Sequence, residues 1–231
     1  MIPLKDDNPT STFPFVTVFI IVLNTLIFIF QMLIGASLGT KGLEYFIYKT
    51  AAIPYEIVHL TDIHPRNFLP PPFTLLTAMF VHGNLFHLLG NMLYLWIFGD
   101  NIEDRLGHFK FIIFYLGTGV VASLAHIAVN PSSTTPLIGA SGAIAGVLGA
   151  YFLLFPRAYV VTLIYVFIFV DIVRIPAVVF LGIWFFFQVI SSTAGGGIAW
   201  YAHIGGFLAG TIIILLARSV GSRRYRGVTR R

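Results

Sequence analysis

Four polar side chains in otherwise apolar stretches carry most of the chemical potential of this sequence: Ser141, His203, His87 and Asn91. Ionisable and polar groups inside a membrane are expensive, so each is a functional candidate. Alone, a serine in a Gly/Ala-rich helix is ordinarily a packing residue, and a histidine near a membrane interface ordinarily a hydrogen-bonded anchor. Together they are complementary: a hydroxyl and an imidazole form a nucleophile and its base. An amide and a second imidazole can donate to a developing oxyanion, aided by the Ser141 N–H near a helix N-terminus. No carboxylate completes a triad, because Asp171, the one acid flanked by apolar sequence, is expected at the opposite membrane face.

The elements that position these groups follow from composition. Of 231 residues, 57% are hydrophobic and 10% charged, with a mean hydropathy of +0.88. Soluble domains carry roughly 25% charged residues, so a soluble enzyme is excluded, as is a disordered chain. Cysteine is absent, which removes disulfides, thiolate metal sites and a cysteine nucleophile. The net charge of +5 is concentrated in Arg218, Arg223, Arg224, Arg226, Arg230 and Arg231. Following an apolar run, that cluster reads as a cytoplasmic juxtamembrane anchor and not as a nucleic-acid surface.

The expected fold is an all-α integral membrane protein, one domain over 1–231. A span needs about 20 apolar residues; the runs at 14–35, 83–99, 111–129, 137–155, 175–191 and 198–217 supply six. The first is too long, and lacks the cleavage pattern, for a signal peptide. Residues 36–82, interrupted by Pro70-Pro71-Pro72, form a long, partly helical first outer loop. The segment 158–174, broken by Asp171 and Arg174, reads as an interfacial or tilted approach to the fifth span. Six spans place both termini with the basic tail 218–231 on the cytoplasmic side.

In that topology the second, fourth and sixth spans all enter from the outer face. His87, Ser141 and His203 each lie four or five residues in, about 6–8 Å deep at 1.5 Å per residue, and Asn91 is one turn below His87. The run Gly139-Ala140-Ser141-Gly142-Ala143-Ile144-Ala145-Gly146 and the series Ala202, Gly206, Gly210 are small-residue seams that let helix backbones approach closely.

These residues carry a resemblance. The chain resembles a rhomboid intramembrane serine protease of the compact six-span bacterial type, over roughly residues 70–217. The resemblance rests on His82-Gly83-Asn84-Leu85-Phe86-His87-Leu88-Leu89-Gly90-Asn91, on Gly99 and Glu103-Asp104-Arg105-Leu106-Gly107, on Gly139-Ala140-Ser141-Gly142, and on Ala202-His203-Ile204-Gly205-Gly206, in that order. It implies Ser141 as nucleophile, His203 as general base, and His87 and Asn91 in the oxyanion hole. The implied reaction is hydrolysis of peptide bonds in or near transmembrane segments of substrate proteins in a bilayer, without cofactor or metal, in a bacterial plasma (inner) membrane. Two positions depart from the family pattern: Ala145 stands where an aromatic often stacks on the histidine, and Phe73-Thr74 where a Trp-Arg pair is common.

Other polar residues have simpler expected roles. His82 and His126 read as anchors, Asn24 and Gln31 as interhelical hydrogen bonds, and Trp200 and Tyr201 as belt aromatics. His59, His64 and His108 fall in loops. The connector Ser191-Ser192-Thr193-Ala194-Gly195-Gly196-Gly197 is placed like a lid. The fifth span, with Trp184, Phe185, Phe186 and Phe187, lacks a small-residue seam and is a candidate gate. Alternative readings are an inactive rhomboid-like client-binding protein, which should lack Ser141 or His203; a transporter, which should show repeated halves; and a zinc site from His82, His87 and His203, which lacks an accompanying acid.

Overall fold

The computed structural model describes residues 1–63, 70–166, 169–192 and 199–228. The connector at 191–197 lies almost wholly outside these residues, as do His64 and Arg66, and of the tail arginines only the side chain of Arg218 is described.

Among the described residues, six helices of fourteen residues or more form the bundle: α1 (Phe15–Thr50), α4 (Leu85–Leu106), α5 (His108–Val129), α6 (Ser141–Leu154), α7 (Ala177–Ser191) and α8 (Trp200–Val228). Between α1 and α4 lie α2 (Pro54–His59), α3 (Thr74–Thr77) and two short 3-10 turns. The expected outer loop is therefore partly helical, but it begins later than position 36. Helix α1 runs on and breaks at Gly39, whose φ of 70° and ψ of −172° are non-helical, before continuing to Thr50.

The chain is a membrane protein. Three helices are long and apolar enough to cross a bilayer (α1, α5 and the Trp200–Arg218 part of α8), and a fourth if the bent pair Pro71–Phe80 and α4 counts as one. Large apolar side chains such as Phe19, Leu26, Leu33, Ile113, Phe186 and Leu216 are left exposed on the helices, as lipid-facing surfaces require. The expectation of six long spans is corrected to these three or four. The shortfall has a physical cause. Helix α6 has 14 residues and α7 has 15, about 21 Å and 22 Å at 1.5 Å per residue, against a hydrocarbon core of about 30 Å. All ten residues Gly142–Tyr151 of α6 are buried. A helix enclosed by protein need not match the bilayer thickness.

The all-α expectation needs an addition, and the reading of 158–174 a correction. Strands β1 (Ile2–Asp6), β2 (Tyr159–Val166) and β3 (Phe169–Pro176) form an antiparallel sheet in that order. The segment is a hairpin because it is rich in β-branched and aromatic residues, with Tyr159 opposite Pro176 and Val161 opposite Arg174. Pro3 sits on edge strand β1, where a missing N–H is tolerated, and the register shifts between Pro3 and Lys5. Asp171 is exposed on β3, beyond the end of α6 opposite to Ser141.

Acidic residues tie the start of α1 to the end of α4. Glu103, fully buried, accepts from the N–H groups of Val16 (2.8 Å) and Thr17 (2.7 Å) and contacts His108 Nδ1 at 2.6 Å. A carboxylate thus covers two of the donors that a helix N-terminus leaves free. Asp104 accepts from Ser11 Oγ, Thr12 N and Thr12 Oγ1, and the Thr12 and Ser11 hydroxyls hold its carboxyl below the usual carboxylate range.

Candidate active site

Close backbone contact between α6 and α8 brings distant residues together. A methyl group on Gly206 would overlap the carbonyl oxygen of Gly142, and one on Gly210 that of Gly146. Across the other face of α6, a methyl on Gly146 would meet Thr118 of α5. Glycine at these positions allows the helices to touch backbone to backbone. Ser141 opens α6, and His203 lies three residues after the start of α8. Their side chains meet: Ser141 Oγ is 2.8 Å from His203 Nε2.

The segment before Ser141 is held from the region between α1 and α4. Ala52 and Leu137 exchange backbone hydrogen bonds (3.1 and 2.9 Å), and Gly139 N–H donates to Ala78 O at 2.8 Å. Gly139 has φ of 114°, a conformation that side chains disfavour, and a Cβ there would come within 2.7 Å of the His87 ring. His87 and Asn91 therefore face the turn that leads into Ser141. Asn84 caps α4 by accepting from His87 N–H at 2.9 Å. Asn91 is buried and its Nδ2 has no hydrogen-bond partner among the described residues. All four expected residues line one cavity of about 800 Å³, which Trp184 also lines. The sequence reading thus placed Ser141, His203, His87 and Asn91 in one stratum, and the structure brings them to one cavity.

A residue absent from that reading completes the contact set. Gln188 of α7 places Oε1 2.7 Å from His203 Nδ1. Its signal was available: it is the one amide or charged group in the fifth run, at the same distance from the outer end as His203. Two tryptophans also flank the imidazole, Trp184 at a centroid distance of 6.0 Å and Trp200 at 6.2 Å. The departure at Ala145 has a steric reason. Ala145 is fully buried, and its Cβ is 3.2 Å from where a Gly206 side chain would begin, so the contact with α8 leaves no room for an aromatic.

The remaining polar residues divide. Gln31 bridges α1 to His82, donating to its carbonyl at 3.0 Å and accepting from its N–H at 3.1 Å. Asn24 instead donates to Ile20 O within its own helix. His82 is anchored through its backbone and not its ring, whose nitrogens have no partner among the described residues, and His126 Nδ1 likewise has none. The candidate gate helix α7 packs on one side, where Phe185 stacks on Phe207 of α8 at 4.6 Å, while Phe186 and Phe187 are exposed. Phe73 is exposed and Thr74 is buried, its hydroxyl donating to Pro71 O at 2.6 Å. Among the described residues no group of three histidine or acidic side chains could hold a metal ion.

The Rhomboid domain family matches residues 71–220, more than half of the chain. The chain belongs to the rhomboid family. It is 29% identical over 173 residues to Rhomboid protein 1, mitochondrial, of Saccharomyces cerevisiae, an alignment covering 70% of this chain and 46% of that protein. It is 41% identical over 76 residues to the rhomboid protease GluP of Bacillus subtilis, covering 33% of this chain and 14% of the relative. Rhomboid-like protein 11, chloroplastic, of Arabidopsis thaliana is 34% identical over 92 residues, covering 40% and 32%. The aligned part thus spans less than half the length of each of these relatives. Bacterial, mitochondrial and chloroplast proteins all match, so the bacterial, six-span subtype is a finer reading than rhomboid membership.

Proposed function

We propose that this rhomboid protein is an intramembrane serine endopeptidase that cleaves membrane-protein substrates in or near their transmembrane segments. The observation that carries the reading is the 2.8 Å contact between Ser141 Oγ and His203 Nε2, beside an Asn91 Nδ2 that has no partner among the described residues. Ser141 Oγ attacks the scissile carbonyl carbon as His203 Nε2 accepts the hydroxyl proton. The carbonyl oxygen becomes an oxyanion, stabilised by Asn91 Nδ2, the His87 ring and the Ser141 N–H. His203 returns the proton to the leaving amine as the C–N bond breaks, giving an acyl-enzyme. Water, deprotonated by His203, then attacks the ester carbonyl and releases the new carboxyl terminus with Ser141 restored. The reaction requires no metal or cofactor.

In this reading the loop between α1 and α4 faces the side from which water reaches Ser141, and both termini are cytoplasmic, in a bacterial plasma (inner) membrane. The test is cleavage of a single-pass substrate, with small and helix-weakening residues near its outer end, in proteoliposomes. Wild type should cleave it, and Ser141→Ala and His203→Ala should not while remaining folded. Equal cleavage by all three would sink the assignment.

A further inference from the structure

Gln188 is the one polar side chain of α7 that reaches the candidate site, and 7% of its surface is exposed. Burying a primary amide within an apolar helix bundle is costly unless its groups are hydrogen-bonded. Both are. Nε2 lies 3.3 Å from the carbonyl oxygen of Trp184 in the same helix, and Oε1 lies 2.7 Å from His203 Nδ1. A carbonyl oxygen only accepts, so the amide must present its NH₂ to Trp184 and its oxygen to His203. An amide oxygen also only accepts, so His203 must carry its proton on Nδ1. Nε2 is then the unprotonated nitrogen, with its lone pair toward Ser141 Oγ 2.8 Å away. The chain of contacts Trp184 O, Gln188, His203, Ser141 has one consistent set of donors and acceptors.

We infer that Gln188 is the positioning residue of the candidate protease: its Oε1 fixes the tautomer and ring orientation of His203, in the place a carboxylate holds in a three-residue triad. The inference rests on the protease reading. The neutral amide suits this location, since it needs no charge compensation on burial whereas a carboxylate would. It also divides the machinery among three helices: nucleophile on α6, base on α8 and orienting acceptor on α7. The base is held in its working tautomer only while α7 lies against α8, so the seating of α7 belongs to the assembly of the site. The titratable side chains that line the cavity with His203 from the other helices are His87 and Tyr94 on α4 and His126 on α5.

The experiment uses the full chain in proteoliposomes, comparing wild type, Gln188→Leu and Gln188→Glu, with thermal unfolding measured for each. The readouts are the rate at which a fluorophosphonate labels Ser141 from about pH 5 to 9, and kcat and KM for the single-pass substrate. Gln188→Leu keeps the bulk and removes the acceptor. It should lower kcat and labelling by at least about tenfold with KM nearly unchanged. Gln188→Glu restores an acceptor and, as a carboxylate, favours the imidazolium. The acid limb of its profile should move up by about one pH unit. A leucine variant as fast as wild type at every pH, or a glutamate variant whose acid limb does not move, would reduce Gln188 to a packing residue. If the leucine variant fails to fold, the limb of the glutamate variant decides alone. A wild type that is not labelled, and cleaves no better than Ser141→Ala, would overturn the protease reading itself and this inference with it. That outcome is distinct from a labelled wild type indifferent to Gln188.

Discussion

In the proposed protease, Ser141 and His203 act as one unit. Either alanine substitution should therefore abolish cleavage almost completely, by about 10⁴-fold or more, and the double variant should be little worse than either single one. In the same proposal Asn91 contributes differently. Its Nδ2 has no hydrogen-bond partner among the described residues, so it is free to strengthen its interaction as the oxyanion forms. Asn91→Ala should lower kcat by about 10²- to 10³-fold with little change in KM, and progress curves of substrate cleavage would check this. The sequence contained these groups openly, because a hydroxyl, an amide or an imidazole stands out in a run of Leu, Ile and Phe. Gln188 stands out on the same grounds, but its role depends on a hydrogen bond to a residue fifteen positions later, in another helix. No spacing within α7 encodes that bond.

At the scale of elements, two contacts hold the framework. The first is the seam between α6 and α8, where backbone meets backbone at Gly206 and Gly210. Gly206→Leu should push α8 away from Gly142, separate His203 from Ser141 and abolish fluorophosphonate labelling; a smaller Gly206→Ala should already lower the unfolding temperature. The second is the Glu103 carboxylate at the start of α1. Glu103→Gln can keep only part of the acceptor capacity and leaves a buried N–H unpaired, so it should destabilise the protein by about 1–3 kcal/mol, measured by denaturant titration in detergent. Both seams were readable as small-residue spacing or as charges bounding a helix. The pairing of Glu103 with α1 was not, since nothing local links position 103 to positions 16 and 17.

At the scale of the whole molecule, the N-terminal strand is tied to the end of the bundle remote from Ser141 through one carboxyl group. Asp6 receives the Tyr151 hydroxyl at 2.5 Å and Asn101 Nδ2 at 3.1 Å. Burial raises its pKa to about 6, against the Tyr151 hydrogen bond, with the nearby Asp100 adding to the rise. A carboxyl whose folded-state pKa lies above its unfolded value stabilises the fold below the unfolded value, near 4, and loses that contribution as pH rises through about 6. The unfolding temperature should therefore fall between pH 4 and pH 7 in wild type, and Asp6→Asn should flatten that dependence. A profile equally steep in the asparagine variant would show that other groups set it.

The sequence by itself determined that this is a membrane protein and which helices carry the polar residues Ser141, His203, His87 and Asn91. These follow from composition along the chain, which is a local property. Only the tertiary structure decided that α6 is too short to span alone, because enclosure by protein, not lipid, sets its length. Only it revealed that 158–174 pairs with the N-terminus as a sheet, since hydrogen bonding between segments more than 150 residues apart leaves no periodic trace. And only it supplied the partner of His203, because Gln188 and the imidazole meet through the packing of α7 on α8, a relation that neither segment encodes alone.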